Sequence, residues 1–204
     1  DNVLTDPDGI YVDCTLGGGG HSFALAQKLS EKATLVGVDQ DDRAIAAATE
    51  RLKDVRCRHL TVRNNFSHVD ENLDSLGIGQ VDGFMFDLGV SSPQLDDGSR
   101  GFSYMHDGDL DMRMDQRNPL TAYEVVNSYS QEDLERILFD YGEERWTKRI
   151  VQFILKAREE KPIKTTGELV HIIKAAIPKG ARSEGSHPAK RTFQAIRIEV
   201  NGEL

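Results

Sequence analysis

Four consecutive glycines, Gly17 to Gly20 in the stretch CTLGGGGHS, mark where a ligand could come closest to the backbone. Glycine has no Cβ and adopts conformations that other residues avoid, so such a run suits a tight turn beside a ligand. An acid, Asp39, follows the loop at about the 20-residue spacing of an acid that binds ribose hydroxyls. A helix beginning near His21 would present free N–H groups to an anionic part of the ligand. These residues predict a nucleotide-like ligand at the loop.

The surroundings of the loop narrow the identity of that ligand. The loop lacks the lysine of a P-loop, and Ser22 stands where a dinucleotide-binding loop has glycine or alanine. Acids at three strand ends, Asp13, Asp39 and Asp87, would repel a pyrophosphate but suit the sulfonium and ammonium groups of S-adenosylmethionine (SAM). The residues favour SAM. An NAD-dependent oxidoreductase and a glycine turn without any ligand are the alternatives.

The elements that would position these residues alternate between strand and helix. Apolar runs end at the glycine loop, at Asp39 and near Asp87, and a strand-like run covers 56–63. Helical patterns occupy 21–30 and 41–54. Strands alternating with helices indicate a parallel sheet covered on both faces, with ligands at the carboxyl ends of the strands. The predicted class is therefore α/β and Rossmann-like.

The pattern becomes helical from about residue 115. Cap signals such as Thr165-x-x-Glu168 and apolar residues at helical spacing, including Trp146 and Ile150 on one apolar face, indicate an all-α block of roughly 75 residues. The segment 192–204 fits both a strand and a helix, and helix is the preferred interpretation.

The charge of the chain is distributed unevenly. The formal net charge is -9, but residues 1–142 carry 12 Lys and Arg against 26 Asp and Glu, whereas residues 143–204 carry 13 against 8. A basic last third allows a local nucleic-acid-binding face on an acidic protein. A solvated helical surface explains the same charges equally well.

Composition indicates an ordinary globular protein, with 38% hydrophobic and 29% charged residues. No apolar run approaches the length of a membrane span and no signal peptide is visible. Two cysteines, Cys14 and Cys57, provide neither a disulfide framework nor a metal-binding spacing. We expect a cytoplasmic protein with reduced thiols and no membrane partner.

Long ordered stretches of the chain resemble the bacterial 16S rRNA cytosine-N4 methyltransferase family (RsmH, also called MraW). They are VDCTLGGGGHS, VDQD, FDLGVSSPQLD, RGFSY, DLDMRMD, YGEER and HPAKRTFQAIRIEVN. The resemblance implies a class I SAM-dependent methyltransferase that N4-methylates a cytosine in the decoding region, with 16S rRNA or the small ribosomal subunit as partner. It also implies a helical substrate-recognition domain inserted at 115–189, between a SAM-binding part at 1–114 and a return to the catalytic domain at 190–204.

The resemblance also assigns roles by motif. SAM would contact the loop at Gly19, Gly20 and His21. Its ribose would bind Asp39, and its adenine would lie against Phe66. Its methionine part would lie beside Asp87 and Gln94. Simpler roles compete, since Phe66 could be core, His21 a helix cap and Gln94 a turn residue. Asp87 is also the first candidate to accept a hydrogen bond from the N4 amine, and Ser91 and Ser92 are weaker candidates that also suit a plain turn.

Basic residues near the end of the chain are the candidate RNA contacts. Lys190, Arg191 and Arg197 would meet the RNA backbone, with Arg145, Lys148 and Arg149 in support. An exposed helix face is an even alternative for the last three.

A second acidic stretch, DGDLDMRMD, could suggest calcium, because acids stand at alternating positions. An EF-hand loop also needs a glycine at position six and a glutamate at position twelve, and Met112 and Asn118 occupy those places. We therefore predict no metal site and expect these acids to organise a loop.

The chain departs from the family at both ends. It begins without Met and stops where family members continue, and about four strands are visible where a class I sheet usually has seven. We therefore expect a shortened chain lacking N- and C-terminal segments. Open sheet edges would permit a homodimer. A non-catalytic SAM- or RNA-binding fragment is the further alternative.

Overall fold

The computed structural model describes residues 3–181 and 187–204, and the predicted loop at 179–191 lies partly outside them. By their internal contacts the residues form two compact units, Asp1–Ser91 and Ser92–Leu204. None of the helices in the described ranges is both long and apolar enough to span a membrane.

The first unit is a parallel sheet whose strands are connected by helices. Its strands are β1 (Ile10–Asp13), β2 (Thr34–Asp39), β3 (Arg58–Arg63) and β4 (Gly83–Met85), in the order β3-β2-β1-β4. Its helices are α1 (Gly20–Ala26), α2 (Asp42–Leu52) and α3 (Val69–Ser75). The chain order reverses between β1 and β4, and such a switch point opens a crevice at the carboxyl ends of the strands. The predicted α/β class is confirmed.

The core of this unit lies on both faces of the sheet, because neighbouring residues of a strand point to opposite faces. Tyr11 and Leu35 belong to one apolar cluster, and Val12 and Val36 belong to the other. All four side chains are at most 1% exposed. The cysteines Cys14 and Cys57 are buried free thiols, and burial raises the pKa of Cys14 to about 12, so that this thiol stays neutral at physiological pH.

The fourth strand differs from its prediction. The apolar run at 81–89 predicts a fourth buried strand, but only Gly83–Met85 is paired, and Phe84 and Phe86 are 42% and 54% exposed. β4 pairs with β1 alone and lies at one edge of the sheet in the described residues. One of its faces therefore remains accessible to solvent.

The second unit is helical. Its helices are α4 (Ser92–Asp96), α5 (Ala122–Ser128), α6 (Gln131–Asp140), α7 (Thr147–Glu160), α8 (Thr166–Ala176) and α9 (Lys190–Asn201). Helix α6 packs against α7 and α9, α7 packs against α8, and α5 packs against α9. The ambiguous C-terminal segment is thus a helix, as preferred, because its apolar residues are buried on one side. The predicted division by role at residues 114 and 189 is not tested by these contacts and stays a prediction.

The acidic stretch organises a loop, as expected. Asp107 accepts a hydrogen bond from the N–H of Gly167 at 2.8 Å, and Asp111 accepts from the guanidinium of Arg113 at 2.7 Å. Asn201 of α9 holds the same stretch by accepting from the N–H of Met114 at 2.7 Å. Among residues 3–181 and 187–204, no group of three or more His, Cys, Asp or Glu side chains could hold a metal ion.

Helix α8 begins with the predicted capping box. The Thr165 hydroxyl accepts from the N–H of Glu168, and the Glu168 carboxylate accepts from the N–H of Thr165. The same carboxylate pairs with Lys161 at 2.7 Å and accepts from the N–H of Lys164 at 2.7 Å. These hydrogen bonds, led by that from Lys161, lower the pKa of Glu168 to about 2.

We expect Glu168→Gln to lower the melting temperature at neutral pH, with the difference vanishing in acid. Glutamine keeps the capping contact, so the variant removes mainly the charge. The folded pKa lies below the ordinary value of about 4.3, so the charge stabilises the fold above that value and loses its effect as pH falls toward about 2. Thermal unfolding followed by circular dichroism at several pH values measures this. The matched control is Glu159→Gln, on the exposed end of α7, and an equal effect there would contradict the assignment.

Candidate functional site

Three acids lie at the carboxyl ends of adjacent strands. Asp13 ends β1, Asp39 ends β2, and Asp87 follows β4 by two residues. β1 lies between the other two strands, with Asp13 in register with Gly37 and with Met85. The structure thus places these three acids along the edge formed by the carboxyl ends of the strands, beside the switch point. This carboxyl-end edge of the sheet is the candidate site.

The glycines of the loop serve different purposes. Gly17 and Gly19 have φ values of 50° and 73°, in the left-handed region that favours glycine. A Cβ on Gly19 would also lie 3.0 Å from the Cβ of Ala48, so this glycine lets α1 approach α2 closely. A Cβ on Gly18 would meet no atom within 4 Å, and the φ of Gly18 is not positive. The space beside the backbone of Gly18, where a side chain would stand, is therefore open.

Asp39 binds the glycine loop. Its Oδ2 accepts from the N–H of Gly17 at 2.8 Å, and its Oδ1 accepts from the N–H of Asp41 at 2.9 Å. Burial raises the pKa of Asp39, while these two backbone hydrogen bonds oppose the rise. Each carboxylate oxygen has a second lone pair, so both can still accept from a ligand hydroxyl. Asp39 thus anchors the loop, and its role as an acceptor for a ligand stays a prediction.

Asp13 forms a buried polar pair that sequence reasoning missed. It is 3% exposed, and its Oδ2 accepts from the hydroxyl of fully buried Ser22 at 2.7 Å. Its Oδ1 accepts from the N–H of Thr15 at 3.2 Å. Burial raises the pKa of Asp13 in spite of these hydrogen bonds. Ser22, at the position where the dinucleotide pattern has glycine, therefore links α1 to the end of β1.

Asp87 is the exposed member of the three. Its N–H donates to the hydroxyl of Thr15 at 2.6 Å, which connects the end of β4 to the end of β1. Its carboxylate lies 3.7 Å from Nδ1 of His21, and both side chains are 73% exposed. The structure therefore brings two predicted site residues together, and it leaves the carboxylate of Asp87 accessible to a substrate.

Phe66 lies near this edge in a short 3₁₀ helix, Phe66–His68, which is capped by Asn65. Its ring packs edge-on against Phe86, with centroids 6.0 Å apart, and also against the apolar cluster that contains Val12. The ring is only partly buried. The expected adenine contact and the alternative core role are both compatible with this position.

The remaining predicted residues lie where the first unit meets the second in sequence. Ser91 is partly buried, Ser92 is the exposed first residue of α4, and Gln94 is buried in that helix. Their roles toward the methyl donor and the amine stay predictions.

Comparison with known proteins places this geometry in a family. The model of the MraW methylase family matches residues 1–204. The chain belongs to the MraW methylase family. The parallel α/β sheet fits the class I methyltransferase fold of this family.

The relatives of this MraW-family chain share a name. Proteins named "Ribosomal RNA small subunit methyltransferase H" from Clostridioides difficile and Lachnospira eligens are 56% and 58% identical over 204 residues, all of this chain and 66% and 65% of theirs. The one from Symbiobacterium thermophilum is 56% identical over 198 residues, 97% of this chain and 62% of its own. The chain thus spans a little under two thirds of the length of these curated relatives.

The predicted RNA-binding residues of the MraW-family chain differ in whether they form hydrogen bonds or ion pairs within the protein. Nε of Arg149 donates to the C=O of Ala176 at 2.6 Å. In the described parts of the chain, Arg145 and Lys148 are exposed and have no ion-pair partner within 4.0 Å.

The predicted RNA contacts on α9 differ in the same way. Lys190 is exposed. Arg191 donates to the C=O of Glu143 at 2.5 Å, and Arg197 makes a two-pronged pair with Glu203 at 2.8 and 2.9 Å. Arg197 therefore has fewer donors left for a phosphate, and all of these RNA roles stay predictions.

Two neighbouring glycines provide a matched pair of variants. We expect Gly19→Ala to destabilise the chain by about 1–3 kcal/mol, because of its positive φ and the approach of Ala48. We expect Gly18→Ala to leave stability unchanged but to weaken the binding of SAM, the ligand predicted for this loop, roughly ten-fold, or about 1.4 kcal/mol, because its methyl group would occupy the open space. Thermal unfolding and calorimetric titration measure both. Unchanged SAM affinity in Gly18→Ala would place the ligand elsewhere.

Proposed function

We propose that this chain is the SAM-binding and RNA-recognising part of a small-subunit rRNA cytosine-N4 methyltransferase. The observation that carries the proposal is the carboxylate of Asp39. It holds the Gly17 turn at 2.8 Å and lies at the carboxyl end of β2, in a chain of the MraW methylase family. The names of the relatives support the substrate class, since each is called a small-subunit rRNA methyltransferase.

The residues present fit SAM better than a dinucleotide. The strand ends carry three carboxylates, which would stabilise a sulfonium and an ammonium group but repel a pyrophosphate. Ser22 donates to Asp13, so the position of the third dinucleotide glycine is occupied by a buried hydroxyl. The open space at Gly18 leaves room for a ligand against the backbone.

We assign roles to the residues toward the cofactor and the base. Asp39 binds the ribose hydroxyls and Phe66 lies against the adenine, while the loop at Gly19, Gly20 and His21 and the residues Asp87 and Gln94 surround the methionine part. SAM, when bound, supplies an activated methyl group. Asp87 accepts a hydrogen bond from the N4 amine and orients its lone pair, with Ser91 and Ser92 as weaker candidates for this role. The methylated amine is acidic enough to lose its proton late, so no strong base is required.

The substrate must expose its cytosine for this chemistry. A base stacked in a helix cannot reach a pocket, so recognition requires an unstacked nucleotide. We assign the helical block at 115–189 to substrate recognition and Lys190, Arg191 and Arg197 to the RNA backbone. A ribosomal substrate places the reaction in the cytoplasm.

The test begins with calorimetric titration of the chain with SAM and, separately, with NAD. We expect micromolar binding of SAM and none of NAD. Methyl transfer from labelled SAM to small-subunit rRNA follows, with mass analysis of the modified nucleoside. Binding of NAD alone would support the oxidoreductase alternative. Binding of SAM without transfer would leave a non-catalytic binding fragment as the better description.

A further inference from the structure

A groove lies between helices α6 and α7 of the helical unit. Its lining residues are far along the chain from the three acids of the candidate site. Its volume is about 560 Å³, within the range of about 300–1,000 Å³ typical of small-molecule pockets. We call it the Trp146 groove and define it by six of its nine lining residues, Glu135, Phe139, Glu144, Arg145, Trp146 and Lys148.

Aromatic rings are the first unusual feature of the groove. Phe139 is 67% exposed, although a phenylalanine side chain gains free energy when it is buried. Trp146 is only partly buried and precedes the first residue of α7. The sequence pattern puts Trp146 on the same apolar helix face as Ile150. Ile150 is indeed buried, but Trp146 lines the groove.

The charges around the rings are the second feature. Within the described residues, Arg145 and Lys148 have no ion-pair partner within 4.0 Å, so both cations are available to an anion. The two acids of the groove are already engaged. Glu144 accepts from the N–H of Trp146 at 3.0 Å, and Glu135 accepts from the side-chain amide of Gln131 at 2.8 Å.

We propose that the Trp146 groove binds one unpaired nucleotide of RNA. The base would stack on the ring of Phe139 or Trp146, and its phosphate would meet Arg145 or Lys148. Aromatic rings beside a basic surface are the usual arrangement for single-stranded nucleic acid, because every base has a face that can stack. The choice of RNA as the ligand of the groove rests on the proposed function, in which RNA is the substrate. None of the residues that line the groove belongs to the proposed SAM site.

The chain carries its own reporter for this proposal. Trp146 is the single tryptophan of the sequence, so fluorescence excited selectively at tryptophan, outside the absorption of the five tyrosines, reports on the groove. The probe is a short oligocytidylate RNA, titrated without SAM, with the same RNA made double-stranded as a comparison. We expect saturable quenching by the single strand and little by the duplex, whose bases are not free to stack.

Variants of Phe139 test the stacking. We expect Phe139→Leu, which keeps an apolar side chain but removes the ring, to raise the Kd at least about five-fold, as loss of one stacked base does. Phe139→Tyr keeps the ring and should bind like the unchanged protein. Because Phe139 is largely exposed, neither change should alter the melting temperature, which circular dichroism verifies.

Two lysines of α7 test the phosphate contact. Lys148→Ala should reduce the slope of log Kd against log salt by about 0.7, the value for one contact to a single strand. Lys156→Ala makes the same change on an exposed part of the same helix outside the groove and should leave the slope unchanged.

Several results would overturn the proposal. If fluorescence anisotropy shows that labelled RNA binds but the fluorescence of Trp146 is not quenched, the RNA binds elsewhere. If neither method detects binding, RNA is excluded as the ligand of the groove. Fluorescence that changes with protein concentration alone would identify a second copy of the chain as the partner. Failure of the proposed function is recognised separately, because SAM binding and methyl transfer are measured without reference to the groove.

Discussion

Asp39→Ala is expected to weaken SAM binding by about 10- to 100-fold, the effect of losing a hydrogen bond to a charged acceptor worth about 1.5–3 kcal/mol. The variant removes the proposed ribose acceptor. It also leaves the N–H groups of Gly17 and Asp41 without the oxygens that accept from them at 2.8 and 2.9 Å. Calorimetric titration with SAM measures the first effect, and thermal unfolding measures the second, which should be about 1–3 kcal/mol.

Two further variants separate the roles of Asp39. Asp42→Ala makes the same change three residues later, where the side chain lies 3.5 Å from Arg63, and it should leave SAM affinity unchanged. Asp39→Asn keeps one acceptor oxygen for the loop but loses the charge, so we expect intermediate affinity. SAM affinity that survives Asp39→Ala would contradict the assignment of the pocket, whatever happens to stability.

The pH dependence of binding provides an independent check on the same residue. Burial raises the pKa of Asp39, so protonation begins above the ordinary value of about 3.9. The proposed contact with SAM needs the ionised acceptor, and the affinity for SAM should therefore fall as pH drops toward that raised value. Asp13 shares the direction of the shift, which means that Asp39→Asn should weaken this pH dependence without abolishing it.

Asp87→Asn is expected to lower the rate of methyl transfer roughly 100-fold, the usual cost of losing one oriented polar group at a reacting atom. Its carboxylate is exposed, while its own N–H is held by Thr15 at 2.6 Å, so the variant should fold normally. Asparagine retains one oxygen but carries no charge and adds an amide that repels the donating amine. Single-turnover methyl transfer to small-subunit rRNA measures the rate.

The same variant distinguishes the two roles proposed for Asp87. A slower transfer with unchanged Kd for SAM would identify an acceptor for the N4 amine. A raised Kd with an unchanged rate at saturating SAM would instead place Asp87 beside the methionine part. Asp74→Asn, an exposed acid of α3 in the same unit, provides the matched control and should alter neither quantity.

Local sequence determined most of the elements of this protein. The alternation of apolar runs and helical patterns predicted the α/β unit, and Thr165 and Glu168 marked the start of α8 through their capping box. The glycine loop and the acids that follow the strands also predicted that the candidate site lies at the carboxyl ends of the strands. These features could be read from the sequence because caps, turns and periodicity depend on residues that are close along the chain.

Tertiary structure alone decided which of these residues meet. The order of the strands placed Asp13 between the ends of β2 and β4, and the turn of the loop brought Gly17 to Asp39 across 22 residues. The packing of α6 against α7 placed Trp146, which the sequence pattern assigns to an apolar helix face, in the wall of a groove. Periodicity shows that a side chain is buried or exposed but does not name its partner. That choice depends on how distant elements pack, which no local pattern encodes.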